Sequence, residues 1–315
     1  MPYLGYGTAK KLTVCGRVLE DEGFRAATDR DTRWRNLIHF WKRLESDEVP
    51  GARLRARFLG REVEGVTDRE GYFKLEISPH GRLGPGPWQE VGLELTDFDA
   101  QATARVLVPS PRARFGLISD IDDTIVSSNV TRKVRMVLTV ALTNARTRKP
   151  FPGVAAFYRA LHAGVNPVFY VSKSPWNLYA PLVEYLEVQD FPPGPLLLRD
   201  FGWRPEKEHK RKSIEDILAT YPELKFILSG DDGEEDPEIY AGIARRFPGR
   251  ILATYIRSRK LGSFEDQVFA PDAATAAQHA AAAGLIQASE LRAVRADTAS
   301  DRSSSKPALS SGALK

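Results

Sequence analysis

The sequence predicts an α/β fold: a mostly parallel sheet covered by helices on both faces, preceded by a small all-strand domain. Three observations predict it. After Pro109 and Pro111, short apolar runs alternate with helix-length stretches, as successive strand–helix–strand units require. Before them, across residues 12–108, period-two alternation and Pro/Gly turns dominate instead. The chain has 315 residues, 42% of them hydrophobic and 27% charged, which suits two globular domains with a sizeable core.

In the first domain, residues 1–110, a short strand is expected at 12–19. In residues 52–59, Leu54, Ala56 and Phe58 alternate with Arg53, Arg55 and Arg57, the pattern of a half-buried strand. Residues 63–67 and 72–77, joined by Asp68-Arg69-Glu70-Gly71, read as a hairpin in which Gly71 takes positive φ. Residues 29–44, rich in Arg and Trp, read as a helical insertion. The order of strands, Pro-Gly turn and Thr67-Asp68-x-x-Gly71-Tyr72-Phe73 resembles small β-sandwiches of the transthyretin and carboxypeptidase-regulatory type.

In the second domain, residues 111–270, strands are expected near 114–119, 166–171, 195–199, 225–229 and 250–256. Helices are expected near 130–146, 153–163, 176–187, 208–219 and 235–246. Ligands of such sheets bind at the carboxyl ends of the strands, where Asp120, Ser172, Asp200, Asp231 and Arg257 follow the apolar runs. Residues 271–315, rich in Ala and then Ser, are expected to form a largely disordered tail.

Net charge is +4, and its distribution says more than its size. Arg132, Lys133, Arg135, Arg146, Arg148 and Lys149 occur without an intervening acid in residues 131–150, a stretch that suits either an anionic membrane surface or a solvated helix face. Without interleaved aromatics or a known motif it does not indicate a nucleic-acid partner. No run reaches the roughly 18 apolar residues of a transmembrane segment, and the amino terminus lacks the apolar stretch of a signal peptide. Cys15, the sole cysteine, excludes an internal disulfide and a cysteine-based metal site. A cytoplasmic protein is expected, with peripheral membrane contact if the basic segment serves that purpose. Nothing in the sequence specifies an oligomeric state.

Four features fall at the ends of predicted strands. Ser119-Asp120-Ile121-Asp122-Asp123-Thr124 places Asp120 and Asp122 on one side of an extended segment and Asp123 on the other. Two carboxylates that close repel unless a cation or a proton lies between them, although Asp and Thr also cap helices well. Ser172 ends the run Val168-Phe169-Tyr170-Val171, at a strand end where a ligand could bind, and reads equally as a helix cap ahead of Pro175. Lys210 stands at the start of a predicted helix, inside a basic run that by itself reads as a solvated face. The segment Gly230-Asp231-Asp232-Gly233-Glu234-Glu235-Asp236 follows the fourth strand. It suits a metal loop or a capping turn, but lacks the alternating acids of an EF-hand.

In this order, Asp-x-Asp-x-Thr, a strand-ending Ser, a Lys and Gly-Asp with further acids resemble the haloacid-dehalogenase-like phosphohydrolases, which have a Rossmann-like core. The chain is most similar to the actin-patch-associated, Mg²⁺-dependent phosphatidate phosphatase family and its bacterial relatives. The strings that carry the likeness include Pro150-Phe151-Pro152-Gly153, Val171-Ser172-Lys173-Ser174-Pro175-Trp176 and Asp236-Pro237-Glu238-Ile239-Tyr240. The resemblance implies Asp120 as nucleophile, Asp122 as general acid and base, and Thr124, Ser172 and Lys210 as phosphate-binding residues. It implies Mg²⁺ held by Asp120, Asp122 through its carbonyl, Asp231 and, through water, Asp236 or Asp232. It also implies a lipid phosphate substrate; the alternatives are a soluble phosphomonoester or a non-catalytic lipid- or protein-binding module. Relatives typically carry Ser where this chain has Asp232, an extra carboxylate expected beside the metal.

Overall fold

The computed structural model describes residues 1–20, 48–121, 150–199, 206–233, 235–258 and 266–304. Among these, the first domain contains β1 (Gly5–Gly7), β2 (Leu12–Arg17), β3 (Arg53–Phe58), β4 (Arg61–Val66), β5 (Tyr72–Ile77), β6 (Trp88–Leu95) and β7 (Ala100–Leu107). They form one sheet in the order β4-β3-β6-β7-β1-β2-β5. The sandwich expected from the sequence is a single sheet folded over on itself. Three-residue β1 joins its halves, pairing antiparallel with β2 and parallel with β7.

The expected turn at 68–71 is present, but the expected hairpin is not. Gly71 has φ +77°, and Asp68 Oδ1 accepts from the backbone N–H groups of Glu70 and Tyr72. The flanking strands separate to different partners, β4 to β3 and β5 to β2. The turn therefore arches between layers, and Leu75 packs over Gly65, where an added Cβ would lie 2.4 Å from Leu75 Cδ2. Leu54 and Ala56 are buried, as their period predicts. Arg53, Arg55 and Arg57 point outward to Asp97, Glu64 and Glu62 in exposed pairs that add little to stability.

The second sheet contains β8 (Gly116–Asp120), β9 (Val168–Pro175), β10 (Leu196–Arg199), β11 (Phe226–Asp231), β12 (Ile251–Arg257) and β13 (Gln267–Ala270). Every neighbouring pair is parallel, in the order β10-β9-β8-β11-β12-β13. This is the Rossmann-like order, and its topological switch point lies between β8 and β11. The helices are α1 (Val154–His162), α2 (Tyr179–Val188), α3 (Glu206–Thr220), α4 (Asp236–Arg246), α5 (Ala273–Ala282) and α6 (Ala288–Ser304). Strand periodicity assigns the faces. Leu117, Val168, Tyr170 and Ile227 join Leu161, Leu182, Ala277 and Val294 in one core, whereas Ile118, Phe169, Val171 and Leu228 join Ile214, Ile217 and Ile243 in the other. The five expected strands are all present, and β13 is an additional one. The expected helices at 29–44 and 130–146 lie outside the described residues.

The tail expected to be disordered from 271 forms α5 and α6 through residue 304. Ala273, Ala276, Ala277 and Ala280 make a narrow buried stripe at helical spacing, with Val294 and Thr298 buried on α6. Asp272 caps α5, accepting from Thr275 N at 2.8 Å, and it also binds Arg302 on α6 at 2.5 Å. Burial would raise the Asp272 pKa, but these donors outweigh it and hold the carboxyl below its ordinary 3.8. A lowered folded-state pKa stabilises at pH above the ordinary value, and that contribution is lost as pH falls through the lower one. Asp272→Ala is expected to cost about 1 kcal/mol in urea unfolding at neutral pH. The difference from wild type should shrink on acidification below about pH 4. A difference that does not depend on pH would show that the carboxylate is not its source.

Candidate active site

Parallel pairing of Ser119 with Ser229 brings Asp120 and Asp231 to adjacent strand ends at the switch point. Both are 1% exposed. On α3, the core-facing stripe of Ser213, Ile214, Ile217 and Leu218 extends one turn back to Lys210, which is fully buried. Lys210 Nζ lies 2.8 Å from Asp120 Oδ1 and 2.5 Å from Asp236 Oδ1. Burial would lower the lysine's pKa, but the two carboxylates outweigh it and raise the value. Lys210 is therefore a fixed cation at neutral pH.

The glycine-led loop explains its own composition. A Cβ on Gly230 would lie 2.3 Å from Asp236 Oδ2 and 2.8 Å from the Tyr240 ring, so only glycine admits this approach. Asp236 opens α4, its Oδ2 accepting from Asp231 N at 3.4 Å, and Pro237 occupies the first turn. Gly233 N donates to Asp231 Oδ1 at 3.2 Å. Arg257, at the end of β12, places NH2 3.3 Å from Asp231 Oδ2 and its guanidinium 3.9 Å above the Phe151 ring.

The expected site residues are thus largely brought together. Asp120, Lys210 and Asp236 form one buried ion cluster, joined to Asp231 through its backbone. Ser172 lies just past the Asp120–Val171 register pair of the neighbouring strand, is fully buried, and accepts from Ser174 N at 2.9 Å. Asp122, Thr124 and the basic stretch of residues 131–149 lie outside the described residues. Asp232, expected beside a metal, is exposed and accepts from Ser258 Oγ at 2.5 Å.

Two contributors were not singled out by motif. Tyr158 on α1 lies 2.7 Å from Ser119 Oγ and 2.9 Å from Ser229 Oγ, so one phenol ties β8 to β11 beneath the carboxylates. Burial pushes the Tyr158 phenol up to about 12, which keeps it a neutral donor. Trp176, part of the Ser-Pro-Trp string, stacks 5.1 Å from Tyr3, which also stacks 3.9 Å from Tyr179. That tryptophan anchors the N-terminal segment to the second domain.

The donor chemistry fits a hard divalent cation. Among the described residues, three buried carboxylates, Asp120, Asp231 and Asp236, face two cationic side chains, Lys210 and Arg257, leaving an excess negative charge. Three metal-ligating side chains do not converge among the described residues, from which Asp122 is missing.

Residues 115–258 match the family model described as the catalytic domain of phosphatidate phosphatase APP1. This segment is similar to the phosphatidate phosphatase APP1 family. Over 151 residues the chain is 39% identical to phosphatidate phosphatase APP1 of Saccharomyces cerevisiae, covering 45% of this chain and 25% of that protein. It is 32% identical over 208 residues to an uncharacterized Schizosaccharomyces pombe protein, covering 62% of this chain and 34% of the relative. The chain therefore spans a quarter to a third of these relatives. Among solved structures, phosphoserine phosphatase from T. onnurineus aligns with a TM-score of 0.31 and 12% identity, over 52% of this chain and 93% of that one. A carbohydrate acetylesterase from Xanthomonas citri aligns with a TM-score of 0.30 and 12% identity, over 96% of this chain and 74% of that one. The APP1-type segment contains Asp120, Ser172, Lys210, Asp231, Asp236 and Arg257. Among the described residues, no helix is long and apolar enough to cross a membrane.

Proposed function

We propose that the chain is a Mg²⁺-dependent phosphatase of phosphatidate or a related lipid phosphate, working through an aspartyl-phosphate in a haloacid-dehalogenase-like core. The observation that carries this reading is Asp120, buried at the switch point and held by Lys210 at 2.8 Å. Asp120 attacks phosphorus, the bond to the alcohol oxygen breaks, and Asp122 supplies the proton to the departing alcohol. Asp122 then takes a proton from water, which attacks the aspartyl-phosphate and releases inorganic phosphate with Asp120 regenerated. Lys210 offsets charge on the phosphoryl oxygens, while Ser172 and Thr124 donate hydrogen bonds to them. Asp236 orients Lys210 and the Asp231 backbone.

Asp120, the carbonyl of Asp122 and Asp231 are the residues that would hold Mg²⁺, with Asp236 acting through water. The ion, when bound, supplies positive charge against the phosphoryl oxygens. The family resemblance favours this site. The location we propose is the cytoplasm, with contact to an anionic membrane surface.

The test compares phosphate release from phosphatidate in mixed micelles with release from water-soluble phosphomonoesters, with added Mg²⁺ or with chelator. Release from phosphatidate that disappears with chelator and returns with Mg²⁺ is expected. Release from soluble esters alone would overturn the lipid assignment, and release from neither would overturn the enzyme.

A further inference from the structure

A cavity of about 270 Å³ lies between the sheet and the helices α1, α5 and α6, on the face opposite α3, and reaches the candidate site through Arg257, which lines it and pairs with Asp231. Ser229 and Gly230 form part of its wall, and the next residue along β11 is Asp231. Phe151, Val154, Phe157, Ile256 and Ala276 are among the apolar residues of the remainder. We propose that this cavity seats the first part of one acyl chain of the lipid phosphate, a reading that rests on the phosphatase assignment above.

The charges on its wall are already matched. Arg257 pairs with Asp231, and Arg302 pairs with Asp272. The hydroxyls are engaged too: Tyr158 with Ser119 and Ser229, and Tyr255 with His279 at 3.2 Å. A sugar or other polyol would place its hydroxyls against carbon, whereas an alkyl chain leaves none of these groups unmet. At about 30 Å³ per water-sized group, the volume admits roughly nine such groups, and therefore the proximal carbons of a single chain. Gly153, with φ +76°, fixes one side of the cavity: its N–H donates to Asp301 on α6, and an added Cβ would lie 2.0 Å from Thr298 Oγ1. The C-terminal helix thereby holds the Phe151–Pro152 wall in place.

The test measures binding of methyl, butyl, hexyl, octyl and dodecyl phosphate, below their micelle concentrations and with Mg²⁺ present, to the full chain carrying Asp120→Asn. Affinity is expected to rise about fourfold per methylene and to level off at about eight or nine carbons. Adding Ala276→Phe, which fills the cavity from α5, should flatten the series while methyl phosphate binds as before. A series already flat without Ala276→Phe, or one that keeps rising through dodecyl, would overturn the proposal. So would a rise that Ala276→Phe leaves intact. If Ala276→Phe does not fold, the break near eight carbons decides alone. Phosphate release by the unmodified chain is measured alongside. A flat series with release intact removes the cavity assignment only, whereas a chain-length break without release removes the catalytic reading and leaves the cavity as a lipid-chain site.

Discussion

Asp120→Asn is expected to lower phosphate release by on the order of 10⁴-fold or more while leaving the fold in place. The amide keeps the shape of the carboxylate but cannot serve as the nucleophile. Its effect on stability runs the other way. Asp120, Asp231 and Asp236 are buried together, and Lys210 and Arg257 do not fully compensate them among the described residues. Replacing one carboxylate removes like-charge repulsion, and Lys210 keeps Asp236 at 2.5 Å. The variant should therefore melt no lower than wild type, as expected where a site holds charge that folding alone would not select. Inactivity with an unchanged or raised melting temperature supports the nucleophile assignment. Activity within tenfold of wild type would remove it.

Much of this arrangement was legible because strand period and residue chemistry pointed the same way. The alternation through Leu117, Ile118, Ser119 and Asp120 divides one strand between two cores, and it places Asp120 on the side of Ile118 and α3. Lys210 was harder to identify, since it sits in a basic run with Lys207, Arg211 and Lys212. The distinguishing signal was helical spacing: Ile214, Ile217, Leu218 and Tyr221 define a buried stripe on which Lys210 falls, whereas Arg211 and Lys212 are exposed. The tail was misread because alanine-rich composition resembles low complexity, although Asp272 and Thr275 carry a capping signature and the alanines repeat at helical spacing. The hairpin was misread because a turn sequence specifies local backbone and not the partner of each strand. Long-range packing of Leu75 over Gly65 determined that partner. Tyr158 carried no motif, and only the register of Ser119 with Ser229 makes its place between the two hydroxyls meaningful.

Lys210→Met is expected to have the largest effect on stability. It leaves Asp120 and Asp236 buried without the cation that both contact, and breaking a buried ion pair from one side costs about 3–5 kcal/mol. Methionine matches the lysine stem in length, so the loss measured by urea unfolding reports charge more than packing. The double variant Lys210→Met with Asp236→Asn should recover part of it, because one uncompensated carboxylate then remains in contact instead of two. The pH dependence follows from the direction of the shift. The folded-state pKa of Lys210 is raised above its ordinary 10.5, so its stabilising contribution is complete below that value and is lost only as pH rises through the higher one. Wild-type stability should show no loss attributable to this lysine between about pH 6 and 10. The gap between wild type and Lys210→Met should close only in more alkaline solution. A gap that closes near neutrality, or a single variant as stable as wild type, would mean that the two carboxylates do not depend on this cation. Lys210 would then be free to act on the phosphoryl group alone, with no structural share in holding Asp120 at the strand end.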